Sequence, residues 1–145
     1  MREHDIYILI ADYLRYQYPQ VIYRFDLAAD LKLTMGQASK HKRLQHYRGY
    51  PDLFIAEPAD IRITPHFEPD KRAMHYAGLF IELKREGTRI FKKDGKLVAD
   101  EHIREQFDML HDLRARGYAA EFACGFDEAK KLIDDYMKGR YAHAD

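Results

Sequence analysis

Short apolar runs alternate along the chain with longer segments in which apolar residues recur at helical spacing. The helical spacing, together with cap residues and breakers, predicts four helices, at residues 3–18, 34–46, 101–116 and 127–138. Runs rich in β-branched and aromatic residues predict strands at residues 21–25, 52–56, 79–84 and 118–124. Strands and helices in this order predict an α/β fold in which helices flank a mixed β-sheet.

The segments between these elements carry turn and loop signals. Residues 87–98 predict a β-hairpin, because Asp94-Gly95 is a favoured two-residue turn between two strand-like runs. Residues 57–73 contain three prolines and are interpreted as an insertion with room for an extra hairpin at residues 61–64. A variable surface loop is the alternative for this insertion. The tail at residues 139–145 is expected to fray.

Acidic side chains interrupt two of the apolar strands. In the predicted strand that ends at Lys84, Ile81 and Leu83 point to one face, and Glu82 and Lys84 to the other. A second carboxylate, Asp52, opens another apolar strand. Charged groups are costly to bury without a purpose, and two carboxylates with a lysine are what a hydrolytic magnesium site requires. The alternative is a structural ion pair at a strand surface.

Charge is balanced overall but unevenly distributed. Lys and Arg total 24, as do Asp and Glu, so the chain is not a generically basic nucleic-acid binder. Residues 31–50 contain no Asp or Glu but five basic residues: Lys32, Lys40, Lys42, Arg43 and Arg48. A second basic group lies on or near the predicted hairpin: Lys84, Arg85, Arg89, Lys92, Lys93 and Lys96. Both groups suit contacts to a phosphate backbone. A solvated helix face and a lysine-protected hairpin edge are the alternatives.

Length and composition narrow the class of protein. A chain of 145 residues is expected to form a single domain, residues 1–145, with a sizeable core. The one cysteine, Cys124, excludes an intramolecular disulfide and is expected to be a small core residue. The eight histidines show no zinc-binding spacing. Without a signal peptide or a long apolar run, the protein is expected to be soluble, intracellular and cytoplasmic.

Several ordered pieces of the chain resemble the VRR-NUC branch of the PD-(D/E)XK nuclease superfamily, in its small stand-alone form from phages and bacteria. The core of the resemblance is Pro51-Asp52 followed by Glu82-Leu83-Lys84. The full set of matching pieces, which includes this core, is Arg48–Ile55, Leu79–Lys84, Gln106, Arg116-Gly117-Tyr118 and Gly125–Ala129. The resemblance extends from about residue 48 to residue 136, with the first helix added. It implies a restriction-endonuclease-like core and a Mg²⁺-dependent nuclease, for which Mn²⁺ can substitute.

The resemblance also implies roles for individual residues. Asp52 and Glu82 would bind the metal together with the backbone carbonyl of Leu83, and Lys84 would contact the attacking water and the phosphate. A glutamate on the first helix would complete the site; Glu3 is the candidate and Asp5 the alternative. Gln106 would orient Lys84 or a phosphate. The plainer alternatives are that Glu3 favours the helix dipole and that Gln106 is a surface helix former.

The expected function is therefore a metal-dependent DNA endonuclease. A chain this small leaves little room for a base-reading module, so selectivity for a structure such as a four-way junction or a flap is expected. The expected phosphate contacts are Lys40, Lys42, Arg43, Arg48, Arg85, Arg89, Lys92 and Lys93.

The expected partner is DNA, and the resemblance implies a homodimer; no nucleotide cofactor is expected. Tyr47, Tyr50, Phe67 and Tyr76 are candidates either to stack on bases or to form the dimer interface. A nucleic-acid-binding or assembly module with little cleavage is one alternative function, and cleavage of RNA is another.

Overall fold

The protein is described from a computed structural model, which places residues 1–26, 31–61 and 74–143. Within these ranges it has four helices and six strands. The helices are α1 (Glu3–Gln17), α2 (Met35–Leu44), α3 (Glu101–Ala115) and α4 (Phe126–Met137). The strands are β1 (Tyr23–Phe25), β2 (Leu53–Ile55), β3 (Ala59–Ile61), β4 (Met74–Tyr76), β5 (Leu79–Lys84) and β6 (Ala119–Cys124). The predicted helices and the four predicted main strands are confirmed to within a few residues.

The main sheet is mixed, as predicted. Its strand order is β1-β2-β5-β6. The β1–β2 and β2–β5 pairs are antiparallel, and the β5–β6 pair is parallel. β3 and β4 form a separate antiparallel pair. The hairpin expected at residues 61–64 lies outside the described residues from residue 62 onward, as does Phe67. None of the helices in the described part of the chain is long and apolar enough to cross a membrane.

The two faces of β5 are buried in different cores. Leu79, Ile81 and Leu83 pack in the larger core, which α1 and α4 cover with residues such as Ile10 and Ile133. On the opposite face, a smaller core under α3 contains Phe80, Leu110 and Ala120. Because strand side chains alternate, Glu82 lies on the same face as Phe80, toward α3. The charged residues of β5 are therefore held inside the protein by apolar packing on both sides.

Helix α2 is a surface element, as its polar sequence predicts. Its N-cap is Thr34, whose hydroxyl accepts a hydrogen bond from the Gln37 backbone N–H over 3.2 Å. The Gln37 side chain accepts in return from the Thr34 N–H over 3.0 Å, which completes a capping box. None of the residues of α2 is buried. The helix is thus fixed by its cap and its chain connections rather than by a packed face.

The segment 87–98 reverses direction as predicted, but the predicted two-residue turn is wrong. A single antiparallel bridge joins Phe91 to Leu97. The Lys92 N–H donates to the Lys96 carbonyl over 2.7 Å, and the Gly95 N–H donates to the Lys92 carbonyl over 2.9 Å. The loop therefore has three residues, and it ends at Gly95 in the left-handed region with φ +82°. A three-residue loop closed by a left-handed glycine is also a common hairpin connection.

The predicted fraying of the C-terminal tail is wrong for its described residues, 139–143. Tyr141 is only 4% exposed, and its hydroxyl donates to Oε1 of Glu121 over 2.5 Å. Its ring packs against Tyr76 and Tyr136, with centroids 5.2 and 6.1 Å away. Burial of this one large aromatic residue anchors the described part of the tail.

Cys124 is half-buried rather than a full core residue. It ends β6 and its thiol donates to the Thr88 carbonyl over 3.5 Å. Burial and then the nearby Glu128, partly opposed by Lys84, raise the pKa of the Cys124 thiol to about 11. The thiol is therefore protonated at neutral pH and has little nucleophilic character.

Candidate active site

Asp52 and Glu82 face each other across two neighbouring strands. β2 and β5 pair with Leu53 opposite Ile81, so extending this register by one residue sets Asp52 opposite Glu82. Directly opposed residues have Cβ atoms about 5 Å apart. The Leu83 backbone N–H donates to Oδ2 of Asp52 over 2.9 Å and fixes the direction of that carboxylate. The two carboxyl groups are 6% and 3% exposed, respectively.

Ionising both carboxyl groups of this pair is electrostatically unfavourable. Burial raises the pKa of both Asp52 and Glu82, and the negative charge of Asp52 raises the pKa of Glu82 further. Hydrogen bonds from the Tyr7 hydroxyl and the Leu83 N–H partly offset the rise in the pKa of Asp52. Two buried carboxylates this close cannot both ionise easily unless a positive charge joins them. Lys84 only partly offsets the rise in the pKa of Glu82, so without a bound cation we expect Glu82 to hold a proton at neutral pH.

Gln106 connects helix α3 to this pair. The helix starts at its N-cap Asp100, whose carboxylate accepts from the backbone N–H groups of His102 and Ile103 over 2.9 and 3.1 Å. From there Gln106 faces inward, as predicted, and its Nε2 donates to Oε1 of Glu82 over 2.8 Å. The amide nitrogen is therefore engaged with the glutamate, and an orienting role for Gln106 toward Lys84 or a phosphate stays a prediction.

Two oxygen atoms in this cluster lack a hydrogen-bond partner. They are Oε2 of Glu82 and Oε1 of Gln106, and both are buried. A buried acceptor without a donor is costly, so such atoms often mark the place of a water or an ion. Both oxygens belong to residues already joined by a hydrogen bond.

Lys84 supplies the positive charge nearest to the pair. Its side chain is 12% exposed, and its Nζ lies 4.0 Å from Oε1 of Glu82. A cavity of about 320 Å³ opens beside these groups and brings the predicted residues together: Glu3, Asp52, Glu82, Lys84 and Gln106 line it. The alternative to Glu3, Asp5, instead caps α1 and pairs with Arg2 at 3.5 Å. Geometry thus favours Glu3 over Asp5.

The donor set suits a hard cation. Asp52 and Glu82 offer carboxylate oxygens, and the unpartnered Glu82 oxygen is already desolvated. Mg²⁺ prefers oxygen ligands and commonly binds through one or two carboxylates while it keeps several waters. In the part of the chain that the structure describes, no three His, Cys, Asp or Glu side chains are grouped as a ready-made metal site. Other groups that line the cavity, backbone oxygens and water would therefore have to supply the other ligands.

The predicted phosphate contacts are all exposed but do not form one group. Lys40, Lys42 and Arg43 project from α2. Arg48 instead pairs with Glu105 of α3, with Nη1 and Oε1 3.5 Å apart.

The basic residues after β5 take three positions. Arg85 lines a cavity that also includes Glu3, next to the candidate active site. Arg89 lines a different cavity with Cys124, and Lys92 and Lys93 lie at the hairpin loop.

The aromatic candidates also separate into two places. Tyr47 and Tyr50 line the cavity at the carboxyl pair. Tyr76 instead packs against Tyr136 and Tyr141, where it covers the larger core. Of the candidates within the described residues, the first two are therefore placed to touch a substrate at this site.

Among the cavity-lining residues that sequence reasoning missed are two on helices, Tyr7 and His102. Tyr7 binds Asp52 through its hydroxyl, as noted above. Each lies four residues from a predicted site residue on the same helix: Tyr7 from Glu3, and His102 from Gln106. Residues four apart share a helix face, so that spacing was the available signal.

Comparison with known proteins identifies the fold. No family model matches the chain, and no curated protein matches it. Among solved structures it is similar to a VRR_NUC domain protein, with a TM-score of 0.58 and 21% sequence identity. The likeness covers 95% of this chain and 89% of that one. The predicted fold is confirmed: the chain has a VRR-NUC fold, with a mixed sheet between helices.

Proposed function

We propose that this protein is a metal-dependent DNA endonuclease that hydrolyses phosphodiester bonds. The observation that carries the proposal is the buried pair of Asp52 and Glu82, with its unpartnered oxygen, beside Lys84. The shared VRR-NUC fold supports it, because the neighbour is named for a nuclease domain. A purely structural ion pair would leave no buried acceptor unsatisfied and would not need a second carboxylate.

The proposed metal is Mg²⁺, with Mn²⁺ as a substitute, and Asp52 and Glu82 would bind it. The carbonyl of Leu83 and the carboxylate of Glu3, directly or through water, are the proposed further ligands. Bound there, the ion would lower the pKa of the attacking water and stabilise charge that develops on the phosphate.

The protein's own side chains would divide the remaining work. Lys84 would hold the attacking water and a phosphate oxygen through its ammonium group. Gln106 would keep Glu82 in one orientation through the 2.8 Å hydrogen bond, so that the other carboxylate oxygen stays directed at the cation. The Tyr7 hydroxyl and the Leu83 N–H would do the same for Asp52. Such preorganisation is what makes a polar site effective at the moment of reaction.

The proposed substrate is DNA with a structural feature such as a junction or a flap. Lys40, Lys42 and Arg43 on the acid-free helix α2 would contact phosphates, together with Arg85 near Glu3. A homodimer would place two active sites on two strands of a symmetric substrate. Sedimentation of the free protein and of its complex with a four-way junction would test the dimer separately from cleavage.

Cleavage of labelled nucleic acids tests the proposal most directly. The substrates are linear duplex, single strand, flap, four-way junction and an RNA strand, each with Mg²⁺, Mn²⁺ or EDTA. Lys84→Ala is compared with Lys138→Ala, which removes an exposed lysine at the end of α4. We expect metal-dependent cutting that Lys84→Ala reduces on the order of 10²–10⁴-fold and Lys138→Ala leaves unchanged.

Two results would overturn this function. Tight binding with no cutting in either metal would identify a nucleic-acid-binding or assembly module instead. Cutting of the RNA strand alone would replace DNA as the substrate while keeping the hydrolytic site.

A further inference from the structure

A second cavity, of about 400 Å³, adjoins the candidate active site. It lies between the end of β1 and the segment that leads from α2 into β2. Four residues line both this cavity and the one at the carboxyl pair: Asp26, Gln45, Tyr47 and Tyr50. A ligand bound in one cavity would therefore place its adjoining chemical group at the entrance to the other cavity.

Four of the nine residues that line this second cavity are aromatic. Phe25, Tyr47, Tyr50 and Phe54 all line it. Phe54 stacks on Phe80 with centroids 4.4 Å apart and an angle of 22°, which fixes the ring against the smaller core. The Tyr50 ring stands edge-on to the Phe80 ring at 5.7 Å. These two rings are held by packing before any ligand arrives.

Tyr47 is the exposed member of the wall. It is 63% exposed, and its ring contacts only the neighbouring His46 ring among the aromatic pairs of the described residues. Arg24 stands at the same cavity, exposed to solvent. Asp26 also lines the cavity, but it is shared with the cavity at the carboxyl pair, whereas Arg24 lines the second cavity only. An aromatic face beside this cation matches a flat ligand that carries a negative charge at its edge.

We propose that this cavity receives one unpaired nucleobase of the substrate strand, next to the phosphodiester bond at the carboxyl pair. This inference rests on the proposed nuclease function and names its substrate class. Every base has a π-face that stacks on aromatic side chains, and Arg24 would meet an adjacent phosphate. A base inside a duplex cannot leave its stack without the energy of unpairing, so a base that is already unpaired enters most easily. The protein would thus select flaps, mismatches or single-stranded gaps over continuous duplex.

The fluorescent base 2-aminopurine, which dims when it stacks, provides the test. It is placed at successive positions of a DNA with an unpaired segment and of a matched continuous duplex, and binding is measured in EDTA with the full chain. Tyr47→Ala is compared with Tyr47→Phe, which keeps the ring, and with Tyr16→Ala, which removes a tyrosine that is 88% exposed on α1.

We expect dimming at one unpaired position only. Tyr47→Ala should abolish it and weaken binding of the unpaired DNA about tenfold, with little change for the duplex. Tyr47→Phe and Tyr16→Ala should behave like the unaltered protein. Dimming that survives Tyr47→Ala, or an equal loss of affinity for both DNAs, would overturn the base-binding site.

The two proposals fail in distinguishable ways. Cleavage without the Tyr47-dependent dimming would remove the base site and leave the nuclease. Dimming without cleavage in any metal would keep the base site and remove the nuclease. If no nucleic acid binds at all, both proposals fall and the aromatic cavity belongs to a different ligand.

Discussion

Gln106 donates its side-chain amide to Oε1 of Glu82 over 2.8 Å, from a position only 5% exposed. Gln106→Ala would leave that oxygen unpaired and Glu82 free to turn. We expect a loss of about 1–3 kcal/mol in the free energy of unfolding and weaker Mg²⁺ binding. Urea unfolding and calorimetric metal titration measure the two effects. Gln17→Ala, at an exposed glutamine that ends α1, is the control and should change neither.

The effect of Mg²⁺ on stability distinguishes a positioning role for Gln106 from a purely structural one. Gln106→Glu keeps the shape of the side chain but puts a third carboxyl group beside the pair. Gln106→Glu should lower the free energy of unfolding of the metal-free protein. Relative to the unaltered protein, this loss should be smaller once Mg²⁺ is added. Equal losses with and without metal would show that the residue serves the fold alone.

The metal-free protein should lose stability as pH rises. Burial, and then the charge of Asp52, raise the pKa of Glu82, so the folded state holds a proton that the unfolded state releases. The stability that this proton carries is fully present below the ordinary glutamate pKa of 4.5 and is lost as pH climbs toward the folded value. In EDTA, we expect the free energy of unfolding to fall by up to about 1.4 kcal/mol per pH unit.

Glu82→Gln removes the titrating group while keeping its volume and hydrogen-bonding reach. In EDTA, the free energy of unfolding of this variant should depend less on pH. The variant should be more stable than the unaltered protein at pH 8. Denaturant unfolding across pH 5 to 9 gives the comparison. Parallel curves for the two proteins would show that Glu82 is not the group that resists ionisation.

Divalent metal should stabilise the protein through the same pair. Mg²⁺ that binds only the folded state at 100 times its Kd adds about 2.7 kcal/mol and raises Tm. Asp52→Asn should abolish that rise, whereas Asp12→Asn, which changes an exposed aspartate of α1, should keep it. Thermal unfolding with and without Mg²⁺ measures this change in Tm. A rise that persists in Asp52→Asn would place the metal elsewhere.

Gly49 allows the segment after α2 to pass close to α3. Its φ is +74°, and an added Cβ would lie 2.7 Å from the carbonyl carbon and oxygen of Glu105 and 2.8 Å from the Gln106 nitrogen. Gly49→Ala should therefore destabilise by more than about 1 kcal/mol and disturb Gln106. Gly36→Ala is the matched control, because that glycine lies within α2 with nothing within 4 Å. It should stabilise slightly, by about 0.5–1 kcal/mol, in denaturant unfolding.

Local sequence signals accounted for most of the elements. Thr34 and Asp100 are the caps that their residue types predict, and each has the expected side-chain hydrogen bond. Alternation in β5 placed Glu82 and Lys84 on one face, where they are found near each other. These features depend on residues within a few positions of one another, which is the range that periodicity and capping describe.

Features that depend on distant residues were not available from those signals. The contact between Asp52 and Glu82 follows from the β2–β5 register, which short strands do not specify by themselves. Likewise, the burial of Tyr141 depends on Glu121 and Tyr76, neither of them near it in the chain. In both cases a tertiary partner decides a position that local composition leaves open.

The absence of any buried residue in α2 has a consequence for how the chain tolerates change. Substitutions on that helix cost little folding stability, since no core contact is lost. In β5, by contrast, the five residues from Leu79 to Leu83 are all buried, so nearly every replacement there is penalised. The exposed surface of α2 can therefore accept many substitutions, whereas the strand that bears Glu82 accepts few.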